Sequence, residues 1–146
     1  MREKTTIYET SADRSAEREI AGVIETTMKC RMFKMPMRYG LDFMAMREGK
    51  AVAFIEVKDR KCMSTTYDTY MIGLHKLMTA QGLSRVSGLP CMLVVRWQDM
   101  IGMVKLPEGA IPEWWHISNG GTTKRNDARD IEPVVHIPVA RFRVLA

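Results

Sequence analysis

Two apolar stretches separated by a short polar connection constrain the fold of this chain more than any other feature. The first stretch is LDFMAM at 41–46, the second is AVAFIEVK at 51–58, and REGK lies between them. Such stretches are typical of β-strands, and Gly49 in the connection can supply the positive backbone angle of a tight turn. The sequence therefore predicts a β-hairpin whose second strand carries Glu56 and Lys58 on one face, because side chains two apart point the same way.

Whether Asp42 shares that face with Glu56 depends on the hairpin turn. A three-residue turn, 48–50, places Asp42 opposite Glu56. A two-residue turn moves Asp42 to the other face unless a β-bulge restores the pairing, and the sequence leaves this open. If the two carboxylates meet, they require a cation between them, for which Mg²⁺ is the natural choice with oxygen ligands. Lys58 could then orient or deprotonate a water that attacks a phosphodiester.

A helix is predicted before the hairpin, over residues 11–30. Apolar residues recur there at helical spacing, and Ser11 or Ser15 can cap its start. Glu17 lies beside the apolar stripe, whereas Glu19 lies farther round, toward solvent. We expect Glu17 to add a third carboxylate, through water or a second metal ion, with Glu19 as its substitute.

The segment 31–39 is predicted to be an edge strand, since it alternates apolar and basic side chains and contains Pro36. Its basic face would carry Lys34 and Arg38, and its apolar face Phe33, Met35 and Met37. In the hairpin, Val52 and Phe54 are predicted to share the face of Glu56 and Lys58, so that face is not plainly polar.

The rest of the chain predicts one further helix and several strands. Residues 67–83 return to helical spacing, and Gly82 is placed to end that helix. Two more strands are predicted at 91–97 and 100–106. The order helix, three strands, helix, strands indicates a mixed sheet with helices on its faces, of the α/β class.

The C-terminal region is predicted to be a long irregular loop, 107–130, followed by a short closing strand, 133–145. The loop carries basic residues, and loops of this length are often functional. One or both of its tryptophans, Trp114 and Trp115, are expected to cover the sheet; stacking on unpaired bases beside His116 is the alternative.

Composition narrows the class of protein. The length of 146 residues fits a single domain, 1–146. The net charge of +5 fits a polyanionic partner. No apolar run is long enough for a membrane helix and the polar start lacks a signal region, so a cytoplasmic location without membrane contact is expected. The cysteines and histidines lack metal-ligand spacing, and three reduced thiols are expected at Cys30, Cys62 and Cys91.

The stretch GLDFMAMREGKAVAFIEVK, an aspartate followed by Glu-x-Lys at the end of an apolar strand, resembles the PD-(D/E)XK nuclease superfamily. With SAEREI upstream and a helix and strand downstream, residues 15 to 100 look most like the archaeal Holliday junction resolvases and related phage-type nucleases. The chain departs from the family pattern in having Leu41 rather than proline before Asp42. No resolvase-like counterpart is evident for residues 107–146.

The resemblance implies a restriction-endonuclease-like fold, in which a mixed central sheet is flanked by helices on both faces. It implies a DNA endonuclease that uses Mg²⁺ or Mn²⁺ and forms a homodimer, with branched or four-way junctions as candidate substrates. If phage-encoded, the protein would act in the host cytoplasm. The implied catalytic residues are Glu17, Asp42, Glu56 and Lys58; the implied metal ligands are Asp42, Glu56, the Val57 carbonyl and, through water, Glu17. Candidate phosphate contacts are Lys34, Arg38, Arg60, Lys61, Lys124 and Arg125.

The sequence also leaves open two classes of protein other than a nuclease. A catalytically silent nucleic-acid-binding module could keep the fold and use its basic face. A structural or assembly protein could carry Glu56 and Lys58 only as a solvated ion pair, which contributes little to stability.

Overall fold

The computed structural model describes residues 10–113, 115–121 and 131–146. Its elements in chain order are α1 (Ser11–Met28), β1 (Arg31–Lys34), β2 (Phe43–Arg47), β3 (Lys50–Asp59), β4 (Thr69–Gly73), α2 (Leu74–Ser87), β5 (Cys91–Arg96), β6 (Ile101–Lys105), β7 (His116–Gly121), β8 (Ile131–Pro138) and β9 (Arg143–Val144). Short 3-10 helices span Met37–Tyr39 and Val139–Arg141. None of the helices described is both long and apolar enough to cross a membrane.

Six strands form a central mixed sheet in the order β1-β2-β3-β5-β6-β9. Strand β3 pairs antiparallel with β2 and parallel with β5. Alternate residues of β5 point to opposite faces: Val94 packs with Ile24 of α1, and Leu93 packs with Leu77 of α2. We call these the α1 face and the α2 face. The predicted fold class, a mixed sheet with helices on both faces, is confirmed.

A second, three-stranded antiparallel sheet has the order β4-β8-β7. Its inward side chains join the core of the α2 face, because Tyr70 and Ile72 alternate with exposed Met71 and pack with Val135 and Ile137. The helix predicted over 67–83 is therefore wrong in its first part. Residues 69–73 form a strand because they pair with β8, more than sixty positions later in the chain.

The ends of both helices differ from the prediction. Helix α1 is capped by Thr10, whose side chain accepts a hydrogen bond from the Asp13 backbone N–H while the Asp13 side chain accepts one from Thr10. Neither Ser11 nor Ser15 is the cap. Helix α2 runs through Gly82 to Ser87 and is capped by Gly88, which adopts a positive φ of 73°.

Strand β1 lies at the sheet edge as predicted, but it is shorter and its faces are reversed. Met32 is buried, whereas Phe33 is 43% exposed. The reason is that α1 covers the face of Met32, the same face that carries Lys34. After Lys34 the chain leaves the sheet, and Pro36 begins the turn into the 3-10 helix.

The predicted loop at 107–130 contains a strand, β7, which pairs with β8. Residues 122–130, with Lys124 and Arg125, lie outside the described residues, as does Trp114. Trp115 is 5% exposed and belongs to the core of the α2 face, as expected of a tryptophan that covers the sheet.

The closing segment, predicted to be one strand over 133–145, forms two. Strand β8 belongs to the second sheet and β9 to the central sheet. The three cysteines are free thiols.

Candidate active site

The hairpin uses the bulge rather than the three-residue turn. Arg47 pairs with Lys50, so the turn has two central residues, both with positive φ, 52° at Glu48 and 75° at Gly49. The register then shifts, because Met46 pairs with Ala51 whereas Ala45 pairs with Ala53, which leaves Val52 as an extra residue.

The shifted register decides where the acidic residues point. Phe43 pairs with Ile55, so the next position outward places Asp42 beside Glu56 on the α2 face. Val52, predicted to lie on this face, instead packs against the α1-face core because of the bulge. Phe54 is buried on the α2 face as expected.

Asp42 caps the end of the β2–β3 ladder. Its Oδ2 accepts a hydrogen bond from the Val57 backbone N–H at 2.8 Å, and its carbonyl accepts one from Met35 N–H at 2.7 Å. The N–H and C=O of a strand residue point to the same side of the strand. The Val57 carbonyl therefore faces the Asp42 side, where the ladder has ended.

The turn before Asp42 is fixed against α2. Gly40 has a φ of 77°, and a β-carbon at this position would lie 2.6 Å from the Thr79 methyl carbon. Lys76 of α2 donates a hydrogen bond to the Gly40 carbonyl at 2.5 Å. A glycine is needed here, since only glycine adopts this conformation without strain in so little space.

Glu56 is a buried carboxylate with one unsatisfied oxygen. Its side chain is 1% exposed, and Oε1 lies 3.3 Å from Lys58 Nζ and 3.4 Å from Lys76 Nζ. Within the described part of the chain, Oε2 has no hydrogen-bond partner. Burial, together with the nearby charge of Asp42, raises the pKa of Glu56. An unpartnered buried oxygen is costly unless something binds it.

Lys58 remains a cation in this arrangement. Burial lowers the pKa of Lys58, but the Glu56 carboxylate, with Tyr70 and Asp42, outweighs burial and raises it. Its side chain is 47% exposed, so the ammonium reaches the solvent-facing rim of the site. While paired with Glu56 it is suited to donate to an anion rather than to accept a proton.

Glu17 reaches the site through Lys34 rather than directly. Lys34 Nζ lies 2.6 Å from Glu17 Oε2 and 3.7 Å from Asp42 Oδ1. Its substitute in the prediction, Glu19, is 69% exposed and pairs with Arg96, away from these groups. The structure thus brings Glu17, and not Glu19, to the acidic pair.

A cleft of about 450 Å³ contains all four predicted catalytic side chains, Glu17, Asp42, Glu56 and Lys58. No group of three His, Cys, Asp or Glu side chains among the described residues forms a ligand cluster. The donors that do converge are two carboxylates, one with a free oxygen, and the Val57 carbonyl. An all-oxygen set with few protein ligands fits Mg²⁺ or Mn²⁺, which retain waters.

Lys76 is a site residue that the sequence did not reveal. It belongs to the predicted second helix, one position before buried Leu77. Its contacts with Glu56 and Gly40 join α2 to β3 and to the 36–40 turn, and such a contact depends on tertiary packing. The local sequence carries no signal for it.

The predicted phosphate contacts are dispersed. Arg38 is exposed in the 3-10 helix, Arg60 stacks over the Tyr70 ring at 5.4 Å, and Lys61 pairs with Asp59 at 2.7 Å. The hydrogen bond from Arg96 lowers the pKa of Asp59, so Asp59 stays ionised beside the cleft. Lys124 and Arg125 fall in the part of the chain that is not described.

Comparisons with known proteins agree with the fold. The chain resembles the structure, at 1.6 Å resolution, of Archaeoglobus fulgidus Hjc, a Holliday junction resolvase from an archaeal hyperthermophile, with a TM-score of 0.53 and 11% identity. The match covers 89% of this chain and 93% of the resolvase. No curated protein matches the chain significantly. A family described as "Phage putative PDDEXK endonuclease" matches residues 3–145. The chain therefore belongs to this PDDEXK endonuclease family.

Proposed function

We propose that the protein hydrolyses phosphodiester bonds in DNA with a divalent ion held by Asp42, Glu56 and the Val57 carbonyl. The observation that carries the proposal is the buried Glu56 oxygen without a partner, next to a second carboxylate and a lysine. Buried polar atoms in folded proteins are nearly always satisfied, so this oxygen is best explained as a metal ligand.

When bound, Mg²⁺ or Mn²⁺ supplies Lewis-acid activation of water and of the phosphoryl group. Asp42 and Glu56 would hold the ion, and the hydrogen bond from Val57 N–H fixes the Asp42 carboxylate. The Lys58 ammonium, at the rim, stabilises the charge that grows on the phosphoryl oxygens as water attacks and the leaving oxygen departs. Lys76 holds Glu56 from the other side.

The substrate is proposed to be DNA, with branched or four-way junctions preferred. The net charge of +5 and the family membership support DNA, and the structural similarity to a Holliday junction resolvase supports the preference for junctions. A homodimer fits this proposal, because resolving a junction requires two matched incisions.

The test offers the purified protein and Mg²⁺ a panel of single-stranded, duplex, flap and four-way DNA. We expect cleavage, greatest for the four-way junction, that EDTA stops. Asp42→Asn, Glu56→Gln and Lys58→Ala should each abolish it, and Glu17→Ala should slow it. Lys105→Ala is the matched control and should cleave normally, because Lys105 lies at the exposed end of β6 and pairs with Glu108.

The same assay decides against the other classes of protein. DNA binding that persists in EDTA, with no cleavage of any substrate in Mg²⁺ or Mn²⁺, would identify a silent binding module. Neither binding nor cleavage would indicate a structural protein. Full cleavage by the Lys58→Ala protein would refute the proposed role of that lysine.

A further inference from the structure

A lysine stands between two of the predicted catalytic carboxylates. Lys34 Nζ contacts Glu17 at 2.6 Å and faces Asp42 Oδ1 at 3.7 Å. This inference rests on the proposed function. We propose that the Lys34 ammonium occupies the position that a second divalent ion would take between Glu17 and Asp42, so that the protein works with one bound ion.

The two carboxylate oxygens of Asp42 have different partners. Oδ2 accepts the Val57 N–H at 2.8 Å, on the side of the Val57 carbonyl and Glu56. Oδ1 is the oxygen that faces Lys34. An ion bridging Glu17 and Asp42 would need Oδ1, and would meet an ammonium already there. Like charges at such short range repel, so Lys34 disfavours the second ion while neutralising the two carboxylates.

The position of Lys34 is fixed by the backbone. Lys34 pairs with Phe43 in the β1–β2 ladder, one residue from Asp42, and the next bond joins Met35 N–H to the Asp42 carbonyl. The Lys34 ammonium also lies 5.3 Å from the centroid of the Phe43 ring. Strand pairing therefore places Lys34 over Phe43 on the α1 face. From there its ammonium reaches Glu17 of α1 and Oδ1 of Asp42, at the end of the ladder.

The experiment measures how many Mn²⁺ ions bind each chain, by calorimetric titration without DNA and by electron paramagnetic resonance of free Mn²⁺. Wild type should bind one ion. Lys34→Met, which keeps the apolar stem against Phe43, should bind two, and Lys34→Ala should behave in the same way. Adding Glu17→Gln to Lys34→Met should return the number to one, because the second site loses a carboxylate. Lys34→Arg and the control Lys105→Ala should each bind one.

The outcomes separate this inference from the proposed function. Two ions bound by the wild type, or one ion bound by folded Lys34→Met and Lys34→Ala proteins, would overturn the inference while cleavage by the wild type still supports the nuclease. No Mn²⁺ binding by the wild type, together with no cleavage, would overturn both. Circular dichroism establishes that each variant is folded, and loss of folding in both Lys34 variants would show a structural role and overturn the inference.

Discussion

At the scale of single residues, Glu56 combines a cost in stability with a proposed role as a metal ligand. Its carboxylate is buried, its Oε2 lacks a partner within the described residues, and its pKa is raised chiefly by burial. Such a group destabilises the fold when it is ionised and no metal is bound, which is common for residues arranged for binding.

Replacing this carboxylate by an amide should stabilise the metal-free protein. Because the pKa of Glu56 is higher in the folded than in the unfolded state, its contribution to stability is present at low pH and is lost as pH rises through the raised pKa. The unfolding free energy of Glu56→Gln should match wild type near pH 4 and exceed it by on the order of 1 kcal/mol near pH 8. Urea unfolding of both proteins in EDTA measures the difference.

Mg²⁺ supplies the control for that comparison. It should stabilise the wild type and leave Glu56→Gln unchanged, because only the wild type keeps both carboxylates. A Glu56→Gln protein that is less stable than wild type at every pH would contradict the account of this residue.

Lys76 should act as a positioning residue. It contacts Glu56 and the Gly40 carbonyl, so Lys76→Met should reduce Mn²⁺ affinity and the cleavage rate by about 10–100-fold, as is typical when a group that orients a ligand is removed. Mn²⁺ titration and cleavage assays measure the two effects, with Lys105→Met as control. An unchanged Mn²⁺ affinity would show that Lys76 does not orient Glu56.

At the scale of elements, the turn that precedes Asp42 depends on Gly40. Gly40→Ala forces a side chain into positive φ and against Thr79, so we expect a loss of about 1–2 kcal/mol in stability and slower cleavage as Asp42 moves. Gly82→Ala is the matched control in α2. A β-carbon there meets nothing within 4 Å, and removing a helical glycine should raise stability by about 0.5–1 kcal/mol.

Thermal and urea unfolding compare the two glycine variants. Equal stability of Gly40→Ala and wild type would mean that the turn adjusts freely and does not hold Asp42.

The hairpin illustrates what the sequence determines at this scale. Local sequence pattern predicts the two strands and the turn at Gly49. It also shows that Asp42 can lie beside Glu56 in only two ways, through a turn with an odd number of residues or through a bulge. Local pattern could not choose between them, because a two-residue turn with a bulge at Val52 and a three-residue turn give the same pairing of Asp42 with Glu56. The packing of Val52 on the α1 face is what distinguishes them.

Local sequence pattern could not predict strand β4 or the contact of Lys76 with Gly40, because both depend on residues far away in the chain. The strand β4 was predicted to be part of a helix because Tyr70, Met71 and Leu74 also fit helical spacing, and only its distant partner β8 decides the matter. The contact of Lys76 with Gly40 has the same origin. Strand pairing and side-chain contacts between residues tens of positions apart depend on the whole fold, so a short stretch of sequence does not predict them.

At the scale of the whole molecule, the exposed basic residues near the cleft, such as Arg38, are proposed to bind DNA phosphates. Arg38→Gln removes one such charge near the cleft without altering its acidic pair. We expect weaker DNA binding and an unchanged cleavage rate at saturating DNA. The slope of log K for DNA binding against log salt concentration should become shallower by about one. Lys105→Gln is the control, and an unchanged salt slope for Arg38→Gln would exclude Arg38 from the DNA interface.

The proposed mechanism requires one divalent ion bound between Asp42 and Glu56, on one face of the central sheet. Crystals grown with Mn²⁺ and measured at a wavelength where manganese scatters anomalously test it directly. We expect one strong anomalous peak touching the Asp42 carboxylate, Glu56 Oε2 and the Val57 carbonyl, with Lys34 still between Glu17 and Asp42. A cleft without a peak in crystals of active protein, or a peak bound only elsewhere on the chain, would contradict it.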